Sequence, residues 1–517
     1  MIRELNITVS PKVAATHDEL LRSVAVKFGI AESEITHLDV FRRSIDARSR
    51  NVRINLGVRV YVGEEPVDER VVYEYPDVSK APEVVIVGAG PAGLFAALRL
   101  IELGVKPVIV ERGKKVSERK ADIAAIHRNE AVHPDSNYGY GEGGAGTFSD
   151  GKLYTRSKKR GDIRKIIEVL FQHGAQSDIL IDAHPHIGTN VLPKVVKNIR
   201  KTILEAGGEI HFRQRVTDFI VSNDRVVGVS TASGERFSGK AVILATGHSA
   251  RDIYHLLRKR GIHLEAKPFA VGVRVEHPQQ LIDTIQYHRN DRGPYLPAAA
   301  YSFAEQVDGR GVYSFCMCPG GVVVPAATSN DELVVNGMSP SHRGGKWANS
   351  GIVVEVQHED LKRYGHHREM AGLKFQEDLE HQCYKMAQNS QIAPAQRLND
   401  FVKGMSSSSL PSSSYHPGVA PSDMHAWMPA FIRERLQSGF RKMDSRAHGF
   451  LTNEAIILGV ETRTSSPVRI PRNEETLEHV KVSGLYPCGE GSGYSGGIVS
   501  SAVDGERVAE SVARMIK

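Results

Sequence analysis

The first residues alternate apolar and polar side chains from Ile2 to Val9, as a half-buried strand does. From His17 to Phe28 the apolar positions Leu20, Leu21, Val24 and Phe28 fall at helical spacing, and Gly29 stands where a C-terminal cap belongs. Val40–Ile45 and Val52–Val62 then read as a hairpin turning at residues 46–51. Val78–Pro82 reads as a linker, after which the pattern changes. Val84–Val87, after Glu83, is a short unbroken apolar run, a helical pattern continues through Leu103 to a stop at Gly104, and a second apolar run covers Pro107–Val110. Val191–Glu205 is an amphipathic helix and Glu209–Phe212 a short strand. A hairpin at Val226–Val229 leads to the apolar strand Ala241–Leu244. Residues 251–440 are mixed, with strands near 269–276 and 312–335 and helices near 370–388 and 427–440. The Ser-rich stretch Gly404–Tyr415 reads as a loop. Residues 483–517 return to strand, turn and helix, and no internal repeat is visible. The pattern predicts a small α+β unit at 1–78 and an α/β unit at 82–250. It further predicts an inserted α+β segment at 251–440 and a return to the α/β unit at 441–517.

The turn after Glu83–Val87 carries chemistry. It reads G-x-G-x-x-G at Gly88, Gly90 and Gly93, with Pro91 and Ala92 between the last two. The first glycine suits a tight turn, the second lets backbone approach a pyrophosphate, and the third lets helix and strand pack closely. The helix start offers free N–H groups and partial positive charge to phosphates. The second strand ends on Glu111, 18 residues after Gly93, followed by Arg112. A carboxylate there suits the ribose hydroxyls of an adenosine. A lone G-x-G-x-x-G is weak evidence; framed by strand, helix, strand and acid it is strong.

Two more segments select the dinucleotide. Ala241–Gly247 is an apolar strand ending in Ala-Thr-Gly at Thr246 and Gly247, and Val216 stands where a backbone would contact adenine. Near the far end, Cys488, Gly489, Glu490 and Gly491 precede Gly496, Gly497 and Ile498, which open the last helix. These three fingerprints, in this order, resemble the glutathione-reductase-like flavoproteins, and the resemblance implies FAD. It also implies that Glu490 meets the ribityl chain, where Asp is commoner, and that the helix opening at Ile498 points at the flavin N1–C2=O edge. There is one complete G-x-G-x-x-G, so a nicotinamide, NAD(P)H, would dock transiently rather than occupy a Rossmann domain of its own. Further segments sharpen the resemblance: Gly139–Leu153, His184–Thr189, Phe315–Gly321, Asn336–Ser339, Glu461–Ile470 and the terminal Cys-Gly-Glu-Gly run. Over nearly its whole length the chain resembles a group of FAD-dependent dehydrogenases, or NAD(P)/FAD-dependent oxidoreductases, of undefined substrate. That resemblance implies a Rossmann-like FAD-binding domain, an N-terminal ferredoxin-like module and an inserted substrate domain.

Charge and cysteine content change the picture little. The net charge of +6 in 517 residues is mildly basic, and an anionic cofactor accounts for it as well as a nucleic acid does. Four cysteines make no disulfide framework, so a reducing cytoplasm is the simplest home; an organelle protein shorn of its transit peptide would read the same. No apolar run reaches the roughly 18–20 residues of a membrane span. The arginines 42, 43, 48, 50, 53 and 59 crowd the N-terminal hairpin. A solvated strand face explains them, and an RNA surface is the alternative, weakened by the lack of interleaved aromatics.

The remaining candidates are individual side chains. The glycine loop Gly143, Gly144, Ala145, Gly146 and Thr147, with Asp150, Gly151 and Lys152, suits flavin contact because glycine permits close approach. Ser149–Gly151 with Arg156 resembles the Asp-Gly motif of aromatic hydroxylases. It lies before the adenine-contacting helix rather than after it, which argues against a monooxygenase. Cys316 and Cys318 are either buried apolar groups or a redox pair or reactive thiol near the flavin, and Cys488 lines the flavin strand. Arg463 and Arg469 flank a hydroxyl-rich turn and serve either structural ion pairs or contact with a substrate anion or an FAD phosphate. His248 follows the Ala-Thr-Gly strand and is a candidate for the active site, whereas His184 and His186 read as loop residues. No zinc or iron–sulfur spacing is present. The leading expectation is flavin-dependent hydride or electron transfer to or from a small organic molecule, with lipid reduction as a variant. An RNA-associated flavoprotein and a non-catalytic FAD scaffold are the rivals.

Overall fold

The computed structural model describes residues 1–66, 71–155 and 161–517. Arg156, paired above with Ser149–Gly151, lies outside the described residues.

At the N-terminus the strands Ile2–Val9, Arg53–Val62 and Ile35–Asp46 lie side by side in that order, both pairs antiparallel. The helix His17–Phe28 buries Leu20, Val24 and Ala25 and ends on Gly29 in the left-handed region, φ 71°. The arginine-rich hairpin is partly engaged. Arg59 pairs with Glu4 at 2.8 Å and Arg48 with Asp46 at 2.6 Å. Arg43 reaches Asp182 at 2.6 Å while its backbone exchanges hydrogen bonds with Ile181 and Ala183. That edge contact ties the unit to the rest of the chain.

The α/β unit is a five-stranded parallel sheet. Its order is Leu485–Pro487, Val242–Leu244, Glu83–Val87, Lys106–Val110, Glu209–His211. Strands buried on both faces read as continuous apolar runs, which is how Val84–Val87, Val108–Val110 and Val242–Leu244 stood out. The helices Pro91–Glu102, Leu192–Glu205 and Ile498–Ile516 cover one face through Leu94, Phe95, Leu98, Val195, Ile199 and Val508. The meander Val216–Ser222, Arg225–Thr231, Arg236–Ser238 and the helix Arg251–Lys259 cover the other. The C-terminal ends of Glu83–Val87, Lys106–Val110 and Val242–Leu244 all open toward one cleft, where ligands bind in open α/β sheets.

A larger sheet closes over that cleft. Its path runs Ala304–Val307, Arg310–Pro325, Trp347–Val356, Phe269–Pro278, Ile456–Glu461, Ala393–Arg397, Val419–Pro421, with Val335–Met338 paired to Arg310–Pro325. Here the structure corrects the sequence. A boundary at residue 440 would cut this sheet, because Ile456–Glu461 is a wholly buried strand between Phe269–Pro278 and Ala393–Arg397. The chain returns to the parallel sheet only after Glu461. The reason is long-range pairing, which the run Ile456–Val460 does not announce locally. Among the described residues no helix is long and apolar enough to cross a membrane.

Candidate functional site

The cleft is a cavity of 370 Å³ between the two sheets. Its floor is the G-x-G-x-x-G turn, and the three glycines differ in what demands them. A Cβ on Gly93 would sit 2.0 Å from the Gly88 carbonyl oxygen, so helix and turn pack too closely for any side chain. Gly88 has φ 106°, and a Cβ there would meet the Ala245 carbonyl at 2.8 Å. Gly90 is unlike either. Its φ of −78° suits any residue, and a Cβ would meet no protein atom nearer than the Gly144 Cα at 4.0 Å. Nothing in the fold requires glycine there; the space it leaves open belongs to the cavity. Gly247 and Gly496 likewise line the cavity with nothing within 4 Å of a Cβ.

Two helices begin at this cavity. Pro91–Glu102 starts at Gly90 with Pro91 in its first turn, and Ile498–Ile516 starts at Gly497. Neither has a side-chain cap, so free N–H groups and partial positive charge face the cleft at two places. Glu111 is buried at the end of its strand and accepts from the backbone N–H of Ala89 (2.8 Å), Gly113 (2.8 Å) and Gly141 (3.0 Å). The carboxylate thus fixes the glycine turn as well as facing the cavity. Arg112 bonds Asp135 at 2.8 Å and Asp252 at 3.0 Å and lies over the Tyr140 ring at 3.9 Å.

The glycine loop is held by a side chain that the sequence analysis missed. Arg119 is wholly buried and donates to the carbonyls of Glu142 (2.6 Å), Asn137 (2.8 Å), Gly144 (3.1 Å) and Tyr138 (3.2 Å). Burial pulls its guanidinium down to about 10, so it stays charged at neutral pH. Glu142 accepts from Val116 N–H at 2.7 Å and pairs with Arg200 at 2.9 Å. Gly143 donates to the Ala89 carbonyl at 2.8 Å, which stitches loop to turn. A single arginine inside the helix Val116–His127 carries no spacing signal, so nothing in the sequence marked it.

Most predicted cofactor contacts converge on this cavity: Gly88, Gly90, Pro91, Ala92, Glu111, Arg112, Gly144, Ala145, Gly146, Asp150, Gly151, Lys152, Val216, Thr246, Gly247, Glu490, Gly497 and Ile498 line it. Gly93, Gly143, Thr147 and Gly489 lie behind the lining. Gly93 and Gly143 support the turn. Thr147 bonds the Glu142 carbonyl, and Gly489 donates to Asp504 at 2.8 Å. Asp150 is buried, and the nearby Arg343, bonded at 2.7 Å, holds its carboxyl below the usual range against the opposing effect of burial.

The four candidate catalytic side chains separate. His248 lines the cavity, with Nδ1 3.3 Å from Glu490 and a buried Nε2 that has no hydrogen-bond partner among the described residues. Arg463 also lines it, but its guanidinium is engaged by Glu332 (2.6 Å), Glu380 (2.9 Å) and Thr328 (2.7 Å). Arg251 joins the same two carboxylates at 3.0 and 2.8 Å, giving a buried cluster of two guanidiniums and two carboxylates. Arg463 therefore fits the ion-pairing alternative. Its companion Arg469 lies over the Tyr494 ring at 5.7 Å. Cys316 lines the cavity beside Phe315 and Asn336, whereas Cys318 is fully buried behind it. The loop histidines stand behind the lining rather than in it: His184 packs on the cavity-lining Tyr154, and His186 bonds the Ser341 carbonyl at 2.9 Å.

FAD fits these residues. The open space before Gly90, the uncapped helix starts and the orphaned His248 Nε2 each present what a bound dinucleotide would complete. A flexible polar chain with two phosphates and a ring system can run from Glu111 past Gly90 to Gly497.

Comparison with known proteins gives the same direction. The chain matches family models described as FAD binding domain over residues 81–127, FAD dependent oxidoreductase over 191–338, and FAD-dependent protein, C-terminal domain-like, over 268–464. Residues 1–61 match a domain of unknown function. An uncharacterized protein of Clostridium beijerinckii is 38% identical over 513 residues, 95% of each chain. Protein FixC of Salmonella typhi is 26% identical over 230 residues, 42% of this chain and about half (49%) of its own length. The crystal structure of CtdE in complex with FAD overlays with a TM-score of 0.32 at 12% identity, covering 83% of this chain and 84% of that one. The chain belongs to the FAD-dependent oxidoreductases, and FAD is its cofactor.

Proposed function

We propose that the protein transfers hydride or electrons between FAD and a small organic molecule admitted between the two sheets. The observation carrying this reading is a second wall of the cavity. It is built not by the nucleotide fold but by the larger sheet, through Phe315, Cys316 and Asn336. A scaffold that only stored FAD would need no such second wall, whereas a redox enzyme needs one to position a substrate and exclude water.

Bound FAD would supply the redox chemistry. The protein's own residues bind, orient and tune. Gly90 and Pro91 would receive the pyrophosphate, and Glu111 with Val216 the adenosine. Gly497 and Ile498 would present a helix start to the ring edge where reduced flavin carries negative charge. Glu490 would meet the ribityl chain, with His248 beside it. In this reading residues 1–78 form a ferredoxin-like module, and residues 251 to about 461 a substrate domain inserted into the FAD fold. The RNA alternative is not favoured, since Arg43, Arg48 and Arg59 already have carboxylate partners.

Anaerobic mixing with NADH or NADPH tests the reading. A flavin band near roughly 450 nm that bleaches with one nicotinamide names the donor. A band that neither nicotinamide nor any organic reductant bleaches would leave only the scaffold.

A further inference from the structure

Cys316 and Cys318 sit where the strand Arg310–Pro325 breaks register with Trp347–Val356, between Phe315 and Cys318. In a regular strand, side chains two apart face the same way but stand too far apart for a disulfide, which needs Cβ atoms roughly 3.5–4.5 Å apart. This stretch is not regular. Cys316 has φ 47°, a left-handed conformation unusual for a residue with a side chain. The Cys318 thiol turns back and donates to the Cys316 carbonyl at 3.3 Å.

Two cations hold this bulge. Arg274, wholly buried, donates to the Cys316 carbonyl at 2.7 Å and to the Cys318 sulfur at 3.5 Å, and its other edge pairs with Glu461 at 3.1 Å. The Lys152 ammonium, from the glycine-loop side of the cavity, donates to the carbonyl of Met317, the residue between the cysteines. A contact from the Cys318 thiol, then Lys152 and Arg274, pull the Cys316 thiol below its ordinary range despite its burial, while Cys318 is pushed up. Packing alone accounts for Cys383 and Cys488, which are buried and pushed up by burial. It does not account for two cations gathered on a Cys-x-Cys bulge at the cavity wall.

We propose that Cys316 and Cys318 are a redox-active dithiol–disulfide pair whose two-electron partner is the FAD of the adjoining cavity. The proposal rests on the reading that the flavin ring lies at this end of the cleft. On oxidation the Cys316 thiolate and the Cys318 thiol join in one S–S bond. The Cys318 S–H bond breaks, and two electrons and one proton pass to the oxidised flavin. Reduction reverses each change. Cys316 faces the cavity and is the sulfur that exchanges; Cys318 resolves from behind.

Two measurements on the full-length holoprotein test this. Anaerobic dithionite titration is expected to take up four electrons per bound FAD in the wild type, and two in Cys316→Ser and Cys318→Ser with the flavin band retained. Alkylation of the oxidised, denatured wild type followed by mass spectrometry is expected to label Cys383 and Cys488 only, with Cys316 and Cys318 labelled after reduction. Uptake of two electrons by the wild type, with all four cysteines labelled in the oxidised protein, overturns the proposal. So does a Cys318→Ser protein that still takes up four. The labelling decides the pair even in a preparation lacking flavin; missing flavin is the separate failure of the cofactor assignment.

Discussion

Gly90→Val is expected to fold normally and to lose FAD, its dissociation constant rising by at least ~100-fold, about 3 kcal/mol of binding. The backbone at Gly90 has φ −78° and ψ −176°, which valine adopts without strain, and no cap hydrogen bond is lost. Among the described residues, its chain neighbours aside, the nearest atom to the new Cβ would be the Gly144 Cα at 4.0 Å, an ordinary contact. Gly90 lines the cavity, so the added side chain would compete with the pyrophosphate assigned to this space. Gly93→Ala supplies the contrast. Its Cβ would sit 2.0 Å from the Gly88 carbonyl oxygen, so the turn itself must shift. Overpacking of that kind costs roughly 1–3 kcal/mol of fold stability. Flavin content, FAD fluorescence titration and thermal melts of the flavin-free proteins separate the two outcomes. If Gly90→Val retained FAD at wild-type affinity, the pyrophosphate would have to lie elsewhere.

Glu380→Ala is expected to destabilise the fold by about 3–5 kcal/mol, as breaking a buried ion pair does. Glu380 is wholly buried and accepts from Arg251, Arg463 and Thr462, and its removal leaves two buried guanidiniums sharing Glu332. The pH dependence carries a definite sign. Burial alone would raise the Glu380 carboxyl; Arg251 and Arg463 outweigh it and hold the group at about 2, against an ordinary value of 4.5. A carboxyl lowered in the folded state stabilises fully above its unfolded value, and that stability drains as pH falls from about 4.5 through about 2. The difference is worth about 3 kcal/mol. Denaturant melts at neutral and acid pH should therefore show Glu380→Gln losing less stability on acidification than the wild type. An equal loss would mean that the cluster does not hold its charges as drawn.

What the sequence makes legible is what neighbours along the chain determine. The N-terminal strand, helix and hairpin, and the strand–helix–strand around Gly88–Gly93, each follow from periodicity and turn chemistry within a few residues. The lining of the cleft was readable because nucleotide folds repeat the same local fingerprints at Glu111, Thr246 and Glu490. What escaped depends on distant partners. Arg463 looks like an anion ligand until Glu332, 131 residues earlier, and Glu380, 83 earlier, are brought beside it. Ile456–Glu461 joins a sheet whose neighbouring strands begin at Phe269 and Ala393. Arg119 organises the glycine loop from a helix with no motif. The bulge at Cys316 depends on register against Trp347–Val356, which no local pattern encodes.

The most direct test of the account is the visible spectrum of the wild-type protein purified without added flavin, together with identification of any flavin released on denaturation. The account predicts a band near roughly 450 nm and FAD, rather than FMN, released at one molecule per chain. A protein that carries no flavin and acquires none from added FAD would contradict it.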